Sequence, residues 1–168
     1  MKRICDKELL VGADFAGYPL KEAVCAHLRA KGWKITDIGV KADSDPNDTD
    51  LMFHRVGLRI GSMIAEGEFE RAFAFCGTGM GVSQVVNKYK GVRGALVESK
   101  FTAKYSRIIN NSNVMCMGGW VLTPRIACEM VDEFIGHEFL EDEPDPTTVR
   151  HQRLVAGAAL NSEIGQEF

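Results

Sequence analysis

An excess of basic residues is missing: the chain of 168 residues carries a formal net charge of −3. No run of lysines or arginines interrupts it, so nucleic acid and anionic membrane are not expected partners. Long apolar runs are missing too. No segment approaches the ~20 apolar residues that span a bilayer, and the start, Met1 to Glu8, has no apolar stretch of signal-peptide length. The five cysteines, at 5, 25, 76, 116 and 128, are an odd number without paired or metal-like spacing. Reduced thiols in a cytoplasmic protein are therefore expected, with neither a disulfide frame nor a metal site. Two nucleotide signatures are also incomplete. No Walker lysine directly follows a glycine-rich turn, and no Gly-x-Gly-x-x-Gly opens the first helix, which argues against a nucleotide- or flavin-binding module.

What remains is the composition of an ordinary soluble globule, long enough to bury a core without staples. Leu9 to Val11 read as a buried strand, followed by a helix from Pro19 with Leu20, Val24 and Leu28 on one face. Trp33 to Gly39 alternate as a second strand. The aspartate-rich stretch Lys41 to Asp50 reads as a loop, and Leu51 to Glu66 as a helix whose Gly57 and Gly61 predict a close packing contact. Ala72 to Phe75, Gly91 to Val97 and Val114 to Met117 supply three more strands. Helices are expected from Val82, over about Phe101 to Ile109 and over Pro124 to His137. This alternation predicts a three-layer α/β fold, a doubly wound, Rossmann-like parallel sheet of five strands. Residues 1–140 form the catalytic unit in this reading. Residues 141–168 are a linker, Glu141-Asp-Glu-Pro-Asp-Pro146, and a C-terminal helical arm from Thr147 to Ile164. The arm's sparse apolar positions call for cover by a neighbouring subunit.

The stretch Arg71-Ala-Phe-Ala-Phe-Cys-Gly-Thr-Gly-Met-Gly81 concentrates the chemistry. A strand buried on both faces runs into Cys76, Thr78 and three glycines at alternate positions. Without Cβ atoms in the way, Gly77, Gly79 and Gly81, with Met80 between them, let backbone N–H groups approach a ligand closely. A thiol, a hydroxyl and free amides converge where an oxyanion can sit. Asp14 falls at the end of the first strand beside a helix start, the usual place for working residues in such a sheet. His54 opens the helix after the acidic loop, and His27 reads as structural.

Taken together, Gly12-Ala-Asp-Phe-Ala-Gly-x-x-Leu-Lys21, Cys76-Gly-Thr-Gly-x-Gly81 with Asn87-Lys88 and Gly91-Val-Arg93, the Asn110, Asn111, Asn113 group with Gly118, and Arg150-His-Gln-Arg153 resemble the ribose-5-phosphate isomerase B and galactose-6-phosphate isomerase family. The resemblance covers roughly residues 9–156. It implies a cofactor-free aldose–ketose isomerase of a pentose, tetrose or hexose phosphate, acting through an enediolate, with its site shared between subunits of a homodimer or homotetramer. It implies Cys76 as the base, helped by the way helix-terminal amides favour a thiolate. Thr78 moves protons between the two oxygens, and the Gly77 to Gly81 amides hold the enediolate. Asp14 and Glu98 join the catalytic set, while Asn110, Phe15, His54, Arg150 and Arg153 bind substrate. A supporting, non-catalytic subunit is the alternative, which the retained cysteine disfavours.

Departures from the family pattern bear on the substrate. Phe15 and Glu98 stand where histidines are usual, Phe53-His54 replaces a tyrosine-proline pair, and Trp120 lies near the place of a usual arginine. In the arm, Leu154 takes the place of a second arginine, with Arg153 adjacent. Phe15 carries no proton, so help in opening a cyclic sugar is not expected from it. A four-carbon sugar 4-phosphate, whose ring-closing hydroxyl is esterified, is the substrate this pattern favours.

Overall fold

Three apolar runs form the strands that are buried on both faces: β1 (Glu8–Ala13), β3 (Ala72–Cys76) and β5 (Val114–Gly118). Continuous apolar sequence demands cover on each side, so these occupy the middle of the sheet. The shorter β2 (Lys34–Asp37), charged at each end, and the three-residue β4 (Gly94–Leu96) form its edges. The computed structural model describes residues 3–165, and within them all five strands pair in parallel in the order β2-β1-β3-β5-β4. The expected units 1–140 and 141–168 each extend by a few residues beyond the described ones.

The described residues form six α-helices, the first five of which cover the sheet: α1 (Tyr18–Ala30), α2 (Phe53–Ala65), α3 (Met80–Val86), α4 (Lys100–Ile108), α5 (Pro124–Gly136) and α6 (Val149–Glu163). One face packs α1, α4 and α5 through Val24, Leu28, Ala103, Met130 and Phe134. The other packs α2 and α3 through Val56, Ile60, Val82 and Val86. The α2–α3 contact is close because a Cβ at Gly57 would lie 3.0 Å from Val85 Cγ1, and one at Gly61 only 2.4 Å from Tyr89 Cδ2. Capping fixes where the helices start: the Thr123 and Thr148 hydroxyls accept from the backbone of Ile126 and His151, and Ser99 and Thr102 form a reciprocal box. Among the described residues no helix is long and apolar enough to cross a membrane.

Several expected boundaries shift. The fourth strand keeps only Gly94–Leu96 of Gly91 to Val97, because Gly91 to Arg93 form a turn. There Asn113 accepts from the Arg93 amide at 2.8 Å and donates to the Gly91 carbonyl at 2.9 Å. Strand β2 ends at Asp37, although Ile38 N–H and Val40 N–H still donate to the Val11 and Ala13 carbonyls at 3.0 and 2.9 Å, and buried Lys21 fixes this stretch through the Asp37 carboxylate (2.6 Å) and the Val40 carbonyl (2.5 Å). Cys25 and Cys116 are core residues, whereas Cys128 is half-buried. His27 is structural, pairing with Asp132 at 2.9 Å to tie α1 to α5.

The order of strands locates the crevice. From β1 the chain moves outward to β2, then crosses back to form β3 on the other side of β1. The carboxyl ends of β1 and β3 therefore flank a topological switch point, where α/β sheets bind ligands.

Candidate active site

Asp14 follows β1 and Cys76 ends β3, so both reach the switch point from adjacent strands; the Asp14 amide continues the ladder onto the Phe75 carbonyl at 3.2 Å. The chain leaves Cys76 through Gly77-Thr78-Gly79 and enters α3 at Met80. Gly79 has φ +78°, and a Cβ there would lie 2.6 Å from Leu96 Cδ1 and 2.9 Å from the Met117 carbonyl carbon, so only glycine fits. This turn aims the Gly79 N–H at the Cys76 sulfur, 3.1 Å away, and the Met80 N–H at the Thr78 hydroxyl, 3.3 Å away. The loop is clamped from β5: Gly119 N–H donates to the Cys76 carbonyl at 2.8 Å and Trp120 N–H to the Gly77 carbonyl at 2.9 Å. The Trp120 ring lies over Gly77, 2.7 Å from where a Cβ would be, yet stays 76% exposed.

Asp14 performs two tasks here. Its carboxylate accepts from the Gly17 amide at 2.8 Å and so closes the loop into α1. Burial raises its pKa above the ordinary aspartate value, with the Gly17 and Ala16 amides opposing the shift. Beside it opens a cavity of about 350 Å³ lined by Asp14, Phe15, Thr49, Met52 and Phe53. That volume suits a small metabolite. Phe53 also covers Gly81, with Cε2 2.8 Å from a Cβ position there, and His54 packs edge-on against Phe53 at 5.3 Å between centroids. Glu98, exposed, stands just past the edge strand β4 at this same end of the sheet.

Two of the other cysteines, Cys25 and Cys116, are set apart by complete burial. It pushes the Cys25 thiol up to about 12 and raises the Cys116 thiol as well. Neither is a usable base near neutrality.

Three expected site residues lie elsewhere. Asn110 lines a groove of about 300 Å³ with Asn87, Arg93, Asn161 and Ile164, at the amino end of the sheet. Arg150 is exposed and 3.4 Å from Glu143, in the segment that Leu140 N–H ties to the Ile108 carbonyl at 3.0 Å; Arg153 is one turn further along α6. A sheet of five-residue strands separates the two ends by roughly 15 Å. Within one chain, then, Asn110, Arg150 and Arg153 are not brought to Cys76. Other residues of the sequence motif serve as scaffold: Asn87 braces Gly94 with two 2.8 Å bonds, and Lys21 holds β2 to α1. Trp120, Met52 and Leu96 shape the site without having been singled out for it. Trp120 and Leu96 come to the site through β5 pairing beside β3, and Met52 through its position just before α2.

Among the described residues no group of three or more metal-binding side chains sits together. What the arrangement can do is move a proton at a sulfur atom and hold a developing oxyanion with amides.

Comparison with known proteins groups the chain with sugar isomerases. The sequence model described as Ribose/Galactose Isomerase matches residues 9–156. The 4-deoxy-4-sulfo-D-erythrose isomerase of Clostridium sp. (strain MSTE9) is 40% identical over 80% of this chain and 82% of its own. D-erythrulose-4-phosphate isomerase 2 of Mycolicibacterium smegmatis is 33% identical over 79% and 86%. Among solved structures, ribose-5-phosphate isomerase B of Mycoplasma genitalium with bound ribulose-5-phosphate superimposes with a TM-score of 0.76 at 28% identity, covering 94% of this chain and 97% of that one.

Proposed function

The chain belongs to the ribose/galactose isomerase family and is an aldose–ketose isomerase, and on that premise we propose that it acts on a four-carbon sugar bearing an acidic group at C4, through Cys76 as the base. The observation that carries the mechanism is the sulfur at the end of β3 with the Gly79 N–H directed at it. That contact is stronger to a thiolate than to a thiol. The thiolate takes the proton from the hydroxyl-bearing carbon beside the carbonyl, leaving an enediolate, and returns it to the neighbouring carbon. No bond to carbon other than C–H breaks. Amides of Gly77 to Gly81 stabilise the enediolate oxygen, typically a large contribution to such a reaction. The Thr78 hydroxyl carries the proton between the two oxygens, with Asp14 and Glu98 at the same end of the sheet.

Two relatives named for four-carbon substrates support the choice of chain length. The site supports it too: Phe15 offers apolar surface and no proton in the cavity beside Asp14. A four-carbon sugar substituted at C4 lacks the hydroxyl that would close a five-membered ring, so it arrives open and needs no ring-opening group. Phosphate and sulfonate at C4 both satisfy this reading.

The acidic group is held by Arg150, Arg153 and Asn110 of a second copy. Exposed apolar side chains at both ends support a homodimer or homotetramer: Phe15, Met80, Phe101 and Trp120 around the mouth, and Val149, Val155 and Leu160 along α6. The α6 end nearest its own core is fixed there, with Gly91 N–H on the Ser162 carbonyl at 3.1 Å and Arg93 on the Ser162 hydroxyl at 2.7 Å. The rest of the helix is free to reach a neighbour.

Measuring kcat/KM for erythrose 4-phosphate, erythrulose 4-phosphate, 4-deoxy-4-sulfoerythrose and ribose 5-phosphate tests the substrate. A preference for one of the four-carbon compounds is expected. A tenfold preference for the pentose, about 1.4 kcal/mol in transition-state binding, would return the chain to pentose chemistry.

A further inference from the structure

The amino end of the sheet holds a concentration of positive charge that the isomerase reaction does not use. Arg71 precedes β3, Arg93 precedes β4 and Arg107 lies in the last turn of α4, and all three line one cavity of about 180 Å³. Arg71 and Arg107 are 1% and 4% exposed. Both fork onto a single carboxylate, that of Glu138. Their other contacts are with neutral groups. Arg71 donates to the Phe134 and Ile135 carbonyls, Arg107 to the Ser112 carbonyl and the Asn111 side chain. Arg93 donates to the Asn111 and Gly91 carbonyls and the Ser162 hydroxyl. Glu70 also lines the cavity and is engaged by the Ile4 amide at 3.0 Å.

Three cations thus face two carboxylates, and one of these is shared by two of the cations. The imbalance is felt: burial and then the Arg71 charge pull the Arg107 guanidinium down to about 10. Moreover, the Nε atoms of Arg71 and Arg107 are buried without a partner among the described residues. Buried donors are almost always satisfied, and leaving two of them bare beside surplus positive charge costs stability.

We propose that this cavity is an anion site for a small free oxyanion of the phosphate or sulfate class. Such an ion supplies several acceptor lone pairs and the missing negative charge, and it matches the fork geometry of guanidinium groups. The cavity's small volume suits a bare oxyanion better than a sugar ester. Being at the far end of the sheet from Cys76, the site acts on stability by mass action and leaves the chemistry of the same chain untouched.

The test is calorimetric titration of the full chain with inorganic phosphate at constant ionic strength, with the thermal midpoint followed in parallel. The double variant Arg150→Ala, Arg153→Ala removes the substrate anchor proposed above and is expected to retain one class of phosphate site. Adding Arg71→Met to that background is expected to weaken the remaining site by about tenfold or more and to abolish the phosphate-dependent rise in midpoint. Since Arg71→Met empties a buried position and can impair folding, the half-buried Arg93→Gln in the same background gives a second reading with the same expectation. No phosphate binding in the double variant overturns the proposal. So does binding there that neither further substitution weakens, an outcome that assigns it to the catalytic loop.

Discussion

At the carboxyl end of the sheet, Cys76, Thr78 and the alternate glycines present a thiol, a hydroxyl and amides under a rim of exposed Phe15, Met80 and Trp120. At the amino end, Arg71, Arg93 and Arg107 are packed among asparagines, with Arg71 and Arg107 sharing the Glu138 carboxylate. The contrast separates two tasks. A reaction that creates negative charge for an instant is served by preorganised neutral dipoles, whereas a group with permanent negative charge is held by permanent positive charge. One chain carries both kinds of surface facing apart; in the proposed reading Cys76 is completed by Arg150 and Arg153 of a second copy, while the cluster of Arg71, Arg93 and Arg107 lies outside the reaction.

The largest blow to this contrast would come from the carboxyl end. Cys76→Ser is expected to lower kcat by ~10²–10⁴-fold with an unchanged melting midpoint, because an alcohol gives up its proton far less readily than a thiol. Cys25→Ser, in the core, is expected to keep its activity if it folds. Normal turnover by Cys76→Ser would remove the chemical role of that end. The division between copies is sharpened next by mixing two inactive proteins, Cys76→Ser and the Arg150→Ala, Arg153→Ala double variant, after reversible dissociation. Each mixed dimer then has one site with both halves intact, so about a quarter of wild-type activity should return. No recovery after demonstrated exchange of subunits would place both halves in one chain.

A smaller effect concerns the rim. Phe15→His introduces a proton carrier and removes apolar surface, and it is expected to narrow the preference for four-carbon over five-carbon substrates by roughly tenfold in kcat/KM. The smallest effect is on stability at Asp14. Burial raises its folded-state pKa, so the fold resists the ionised form; that cost is full above the raised pKa and disappears as pH falls below the unfolded value of about 3.9. Asp14→Asn keeps an acceptor for the Gly17 amide and should raise the midpoint by roughly 1–3 °C at pH 7 and by nothing at pH 3. A larger gain at pH 3 than at pH 7 would contradict the sign of this argument.

Much of the fold was legible because the strands at the centre of a parallel sheet must be apolar throughout, as Ala72 to Phe75 and Val114 to Met117 are. The alternation with helices then fixed the class. The order of strands was not legible: nothing in the periodicity of Val114 to Met117 says that this strand inserts between β3 and the edge strand. That same pairing brings Trp120 over Gly77, which is why the tryptophan registered only as a replacement in a motif. Asn110 and the arm arginines were legible as residue types but not as positions, since motif neighbours in sequence can emerge at opposite ends of a sheet. The three arginines of the amino end are far apart in the chain and gather only after folding; Arg71, placed directly before a wholly apolar strand, was their one local signal.

Trp120 has a further consequence. The chain holds two tryptophans: Trp33, half-buried before β2 and packed against the core, and Trp120, with its indole on the loop that follows Cys76. The second is an optical reporter installed at the working end, and the first is a nearly constant background at the other. Indole emission responds to the polarity around the ring, so ligand entry at this end is expected to register in the fluorescence of the unlabelled protein. Replacing Trp33 with phenylalanine would leave a single-tryptophan chain whose entire signal comes from the loop beside Cys76.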